Sequence, residues 1–192
     1  TETKEGLAAF RGSKYVQART GETYKQCEHF LKEGRKVLFS GTSCQIAGLK
    51  KFLRKEYDNL LAVEIVCHGV PSSKVWKNYI ETIIRPKGVA GKNTVSSSLN
   101  VKSVITDISF RDKGFGWKKF GFVIRGKSAS KADKNSVSSS VNTHNVIIQE
   151  PFSDNLYMKT FLKNLCLRPS CYDCQVKSGR SGADIALADF WG

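Results

Sequence analysis

Residues 36–48 read KVLFSGTSCQIAG, and their order is that of a strand, a tight turn and the start of a helix. Val37, Leu38 and Phe39 form a short apolar run with Gly34 behind it and Gly41 ahead, the pattern of a buried parallel strand. Ser40, Gly41, Thr42 and Ser43 supply turn and capping chemistry. Ile46, Leu49 and Phe52 or Leu53 then recur at helical spacing, so the helix packs back on the sheet it has left. Cys44 falls at the strand's carboxyl end beside a helix N-terminus. Open α/β sheets bind ligands there, and free N–H groups and the helix dipole favour a thiolate or a phosphate.

A second stretch repeats the arrangement. Residues 60–66, LLAVEIV, are another near-continuous apolar run, ending in Cys67, His68 and Gly69 before Pro71 and Ser72 open a helix. Val75, Trp76, Tyr79, Ile80, Ile83 and Ile84 fall on one face of that helix. If the two strands are parallel, as a right-handed crossover between them requires, Cys44 and Cys67 lie on the same sheet edge. Two thiols delivered to one edge by independent units point to a shared ligand.

The chain has 192 residues, enough for a substantial single core. We expect one domain over residues 1–192, with strand–helix units over 10–86, antiparallel strands over 101–150, and a helix, a C-x-x-C loop and a last strand over 153–192. The fold class is α/β (α+β), with parallel strand–helix units in a mixed sheet and an added antiparallel hairpin region. The chain opens at Thr1 without a methionine, which suggests a piece of a longer polypeptide. No run reaches the length of a membrane span and no signal-peptide core is present, so a cytoplasmic setting is expected. There, six cysteines argue for metal or redox use and against a disulfide framework.

The net charge of +14 gathers at Lys50, Lys51, Arg54 and Lys55, at Arg111, Lys113, Lys118 and Lys119, and at Lys177 and Arg180. A solvated basic face, a polyanionic cofactor, an acidic protein or nucleic acid would each account for it.

Along the chain, Thr20 or Gly21 is expected to cap a helix whose Tyr24, Cys27 and Phe30 or Leu31 share a face, which makes Cys27 a core residue. Residues 86–100 are Gly, Lys, Asn and Ser and read as a connection. Residues 105–110 (ITDISF), 119–124 (KFGFVI) and 145–149 (NVIIQ) read as strands, with KGFGW at 113–117 joining the first two. Residues 128–140 read as a loop. Ser153 is expected to cap the last helix, with Tyr157, Met158, Phe161, Leu162, Leu165 and Cys166 on its buried face and Pro169 as its stop. Cys171-Tyr-Asp-Cys174 and a polar segment follow, and residues 184–188 form a final strand.

With Cys27 and Cys166 on apolar faces, four thiols remain in turns: Cys44, Cys67, Cys171 and Cys174. Four thiolates suit a structural zinc or an iron–sulfur cluster equally, and a redox dithiol or four unrelated thiols also fit. His68, next to Cys67 and Gly69, could donate to a cluster sulfur or a flavin, or could be a structural histidine satisfied by backbone. A zinc-stabilised interaction module is therefore one rival to a redox domain. A nucleic-acid-binding module is another, resting on the basic excess and on Phe115, Trp117, Phe120 and Phe122. These aromatics alternate as strand core residues do, and no RNA-binding signature accompanies them, which argues against nucleic acid.

The segments SGTSCQIAGLKKFL (40–53), VCHGVPS (66–72), FRDKGFGWK (110–118), LRPSCYDC (167–174) and GADIALADFWG (182–192) resemble the beta-subunit family of coenzyme F-420 hydrogenases and dehydrogenases, in its C-terminal domain. The resemblance implies an iron–sulfur flavoprotein oxidoreductase that moves electrons between FAD and a [4Fe-4S] cluster, with the deazaflavin coenzyme F-420 as a hydride partner in methanogen members. It implies Cys44, Cys67, Cys171 and Cys174 as cluster ligands, and Ser40, Gly41, Thr42, Gln45, Lys177 and Arg180 as flavin-site residues, joined by His68 and Gly69 from their position. A ferredoxin-like domain or protein is the implied electron partner. The chain departs from the family pattern at Ser43, where proline is usual, and in the Ser-rich segment 128–140. No catalytic side chain is assigned.

Overall fold

The computed structural model of the protein describes residues 1–84, 104–116, 119–127 and 145–188. The expected connection at 86–100 and loop at 128–140, together with Trp117, Lys118 and residues 189–192, lie outside the described residues. In chain order the elements are α1 (Thr23–Lys32), β1 (Val37–Thr42), α2 (Ser43–Leu53), β2 (Leu60–Ile65), α3 (Ser73–Ile84), β3 (Val104–Asp112), β4 (Gly121–Lys127), β5 (Asn145–Pro151), α4 (Leu156–Leu162), α5 (Pro169–Tyr172) and β6 (Ile185–Leu187). The result is an α/β fold with a parallel three-stranded sheet and a separate antiparallel three-stranded sheet. No helix among the described residues is long and apolar enough to cross a membrane.

The chain divides into two compact units, Gln17–Val70 with Leu167–Gly192, and Thr1–Val16 with Pro71–Cys166. The first holds the parallel sheet, in the order β1-β2-β6. α1 and α2 cover one of its faces: Cys27, Leu31, Leu49 and Leu53 are buried there against Val37, Phe39 and Leu60. Cys27 is thus a core residue, and burial pushes its thiol up. At the N-terminal edge, Asn59 Nδ2 donates to Leu31 O at 3.0 Å and Arg35 O at 2.7 Å, tying the loop before β2 to the end of α1. Thr20 serves α1 through its carbonyl, which accepts from Thr23 N, and not through a side-chain cap.

Among the described residues, helices cover only one face of β1. The register pairs Leu38 with Leu61, Val63 with Ile185 and Ile65 with Leu187, so these residues share the other face. Leu38, Leu61, Ile65, Ile185 and Leu187 are 40–65% exposed. An apolar run contains residues for both faces, and it does not reveal whether the second face has a cover.

In the second unit the antiparallel order is β3-β4-β5, with the 3-10 turn Lys113–Phe115 between the first two strands. Arg125 reaches Asp107 at 2.9 Å and Asp112 at 2.8 Å, so it joins the residues at which the two register shifts in β3 end. That guanidinium and the Gly114 N–H hold the Asp112 carboxyl below its ordinary range. Phe110, Phe120, Phe122, Ile124, Tyr157 and Met158 form the core. The burial of Phe120 and Phe122 removes them as stacking platforms for bases.

α3 belongs to this unit. Its Trp76, Tyr79, Ile80 and Ile83 pack on the antiparallel-sheet core, with Trp76 edge-on to Tyr157 at 4.8 Å and Tyr79 stacked on it at 5.3 Å. The repeat of strand and helix in the sequence is therefore not a repeat of packing: α2 returns to its own sheet, and α3 packs with the aromatic core of another.

The cap of α4 also differs from expectation. Asn155, not Ser153, occupies the N-cap, and its Oδ1 accepts from Met158 N at 3.1 Å. Asn164, at φ 61°, lies just past the helix end, ahead of Pro169, which instead opens α5. Leu162 and Leu165 are consequently exposed, while Cys166 is buried as packing.

Candidate functional site

The parallel register decides where the first two thiols emerge. Thr42, the last residue of β1, pairs with Ile65, the last of β2, and Cys44 and Cys67 each follow two residues later. Both therefore leave the same edge of the sheet at the same height. Thr42 is the N-cap of α2, and Gln45 Oε1 accepts from the Thr42 N–H at 2.9 Å, the return half of a capping box. Gly41 leaves room for this: a Cβ there would lie 3.0 Å from Gln45 Oε1 and 3.1 Å from Gln45 Cβ. Thr42 Oγ1 sits 3.3 Å from Cys44 Sγ. Tyr24 donates to Gln45 O at 2.9 Å, and its hydroxyl is pushed up by burial and then by the Cys44 thiol.

The third and fourth thiols come from a segment fastened to the Cys67 loop at both ends. Before them, Arg168 N donates to Val70 O at 2.9 Å. After them, Lys177 Nζ donates to His68 O at 2.9 Å. Between these points Pro169 starts α5, Cys171 N donates to Arg168 O at 2.9 Å, and Cys174 O accepts from Lys177 N at 3.5 Å. Arg180 Nε donates to Lys177 O at 3.0 Å, which orders the turn that follows.

Gly69 allows the two loops to meet. Its φ of 154° disfavours any side chain, and a Cβ would lie 2.8 Å from Leu167 Cδ1. Its N–H is directed at the Cys67 thiol.

The thiols act on one another. Burial pushes the Cys67 thiol up, and Cys44 and Cys171 push it further in the same direction, while the Gly69 N–H and the Lys177 ammonium pull it down. Cys44 is exposed and Cys67, Cys171 and Cys174 are half-buried, in contrast to Cys27 and Cys166. All six are free thiols. Among the described residues, no three His, Cys, Asp or Glu side chains are grouped tightly enough to hold a metal ion as they stand.

The donor chemistry of this edge fits a thiolate-ligated cluster: four free thiols, a backbone N–H aimed at one sulfur, and a nearby ammonium. Of the residues expected to hold a flavin, Gly41, Thr42 and Gln45 form the α2 cap, and His68, Gly69 and Lys177 form the junction of the two loops. Ser40 is exposed on the strand face opposite Gly41, and Arg180 lies on the turn beyond Lys177.

Sequence reasoning missed Glu64. It is 2% exposed on β2, between Gly41 and Ala186 in register. Its Oε1 accepts from Ser43 Oγ at 2.9 Å, and its Oε2 accepts from Ser181 Oγ. The signal was the one ionisable residue within LLAVEIV, since a charge in a buried run requires built partners. Asp184 was likewise read only as a strand residue. Its Oδ2 accepts from Ala62 N at 2.7 Å, and its own N–H donates to Ala62 O at 2.9 Å, which fastens β6 to β2.

Comparison with curated proteins and with solved structures gives no match. The family model for the C terminus of the coenzyme F420 hydrogenase/dehydrogenase beta subunit matches residues 34–192, a span that contains β1 through β6 and Cys44, Cys67, Cys171 and Cys174. The chain belongs to this family of F420 hydrogenase and dehydrogenase beta subunits, and so to an oxidoreductase-subunit family.

Proposed function

We propose that the chain is an electron-transferring iron–sulfur flavoprotein domain, in which Cys44, Cys67, Cys171 and Cys174 ligate one [4Fe-4S] cluster. One observation carries the reading: the C-x-x-C segment is fastened at both ends to the Cys67 loop, through Arg168 N to Val70 O and Lys177 Nζ to His68 O. The parallel register supplies Cys44 at the same edge. A flavin takes electrons as a pair and a cluster passes them on singly, which is the chemistry these groups would supply when bound.

The chain's own residues have definable tasks in this reading. The Gly69 N–H and the Lys177 ammonium both favour the ionised Cys67 sulfur, the state a ligand requires. The Thr42–Gln45 box fixes the first turn of α2 and with it Cys44. FAD is proposed to lie along Gly41, Thr42, Gln45, His68, Gly69 and Lys177, with Ser40 and Arg180 at its margin, and F-420 or another hydride carrier is the proposed redox partner. The basic excess suits a phosphate-bearing cofactor or an acidic ferredoxin-like partner.

The test is iron, zinc and acid-labile sulfide content, with the visible spectrum, on protein prepared without oxygen and reconstituted with iron and sulfide. About four irons and four sulfides per chain are expected, with loss of both in Cys171→Ser and Cys174→Ser. Zinc at one equivalent without labile sulfide would sink the proposal in favour of a structural module.

A further inference from the structure

We infer that Glu64 is the positioning residue of the thiol site. Among the described residues it is a buried group that bonds to segments leading to all three thiol-bearing stretches. The inference rests on the reading of Cys44, Cys67, Cys171 and Cys174 as one site. Glu64 is on β2, three residues before Cys67. Its Oε1 accepts from Ser43, the first residue of α2 and the neighbour of Cys44. Its Oε2 accepts from Ser181, in the turn that follows Cys174 and Lys177. The two serines lie 21 and 117 residues from it in sequence, so no local preference of the chain brings them together.

The register neighbours of Glu64, Gly41 and Ala186, are small, and they leave space for a carboxyl group with a hydroxyl at each oxygen. Ser43 and Ser181 are 3% and 5% exposed, so neither hydroxyl can exchange Glu64 for water. Ser181 Oγ in turn accepts from Ala183 N at 3.1 Å, one residue before the Asp184 that fastens β6. A buried polar group kept with full hydrogen bonding fixes one arrangement of the segments it joins, because every alternative leaves a donor or acceptor unpaired.

The experiment compares wild type, Glu64→Leu, Glu64→Gln and the double variant Ser43→Ala/Ser181→Ala, each reconstituted with iron and sulfide without oxygen. Two readouts are taken: the rate of iron release to a ferrous chelator, and the denaturant midpoint of the cluster-free chain. Removing a group that orients metal ligands costs about 10–100-fold in metal retention. Glu64→Leu and the double serine variant are therefore expected to release iron faster by about that factor. Glu64→Gln is expected to restore retention, since its carboxamide oxygen can face Ser181 and its NH2 can face Ser43. Adding the serine changes to Glu64→Leu should have no further effect. Equal release from wild type and Glu64→Leu, with the wild type fully loaded, would overturn the inference alone. A wild type that assembles no cluster would overturn the thiol-site reading and this inference with it. Faster release that merely tracks a lowered midpoint, and that Glu64→Gln does not rescue, would assign Glu64 to the fold and not to the site. Should Glu64→Leu fail to fold, the double serine variant carries the same comparison.

Discussion

Gly69→Ala tests how the two thiol-bearing loops are joined. The substitution meets two separate obstacles. The backbone φ of 154° is one that residues with a side chain rarely adopt, and such a conformation costs about 1–3 kcal/mol. The new Cβ would also stand 2.8 Å from Leu167 Cδ1 and 3.1 Å from Cδ2, and Leu167 is 8% exposed with little room to withdraw. Overpacking of this kind costs about 1–3 kcal/mol. Together they predict a loss of about 2–6 kcal/mol, a large part of the roughly 5–15 kcal/mol that holds a domain folded. The two contributions separate in a double-mutant cycle measured by guanidinium unfolding. Leu167→Ala alone empties a buried position, at about 2–5 kcal/mol. In the double variant the clash is gone while the backbone strain remains, so the combined loss should fall short of the sum by about 1–3 kcal/mol. Additivity within about 0.5 kcal/mol would show that Leu167 does not press on residue 69. A Gly69→Ala chain as stable as wild type would refute the reasoning altogether.

Two further predictions concern the antiparallel unit. Asn155 is fully buried and uses both ends of its amide, capping α4 through Met158 N and donating to Tyr79 at 2.6 Å and Glu150 at 2.8 Å. Asn155→Ala should destabilise by about 3 kcal/mol, combining about 1 for the cap with about 1–3 for an interior acceptor left unpaired. Asn155→Asp keeps the cap but sets a second carboxyl against Glu150, so thermal unfolding should rank it below wild type as well. Burial raises the Tyr79 hydroxyl to about 12, and the Tyr157 hydroxyl is raised in the same direction, chiefly by burial. Because both folded values lie above the ordinary 10.0, their contribution is complete below pH 10 and is lost as pH rises toward the folded values. Above pH 10, Tyr157→Phe should flatten the fall of unfolding free energy by about 1.4 kcal/mol per pH unit. Parallel slopes for variant and wild type would contradict the assignment.

The elements themselves were legible because their causes are local. Alternation at Phe120, Phe122 and Ile124 announced a strand with a buried face, and these residues are buried. Periodicity set Cys27 and Cys166 apart as packed residues, and both are buried, though Cys166 lies beyond the end of α4; of the four thiols read as turn residues, Cys44 stands in the first turn of α2 and Cys171 in α5. The end of α4 was less legible. Ser153 and Asn155 are both competent caps, and only the bond from Met158 N to Asn155 Oδ1 distinguishes them.

By itself, the sequence determined where the six strands and the first three helices lie, that the first two strands run parallel, and that Cys44 and Cys67 leave one sheet edge; it carried α4 too far and read α5 as a loop. What it determined follows from side-chain period and from the helical crossover between the two strands. Tertiary structure alone decided which core each helix completes. The stripe of Trp76, Tyr79, Ile80 and Ile83 states that α3 buries a face, but hydrophobic burial is non-directional and does not name the partner. It also decided the fastening of the site, through Lys177 to His68 across 109 residues and Glu64 to Ser181 across 117. A hydrogen bond between distant residues depends on the folded positions of both, and neither partner leaves a mark in the sequence around the other.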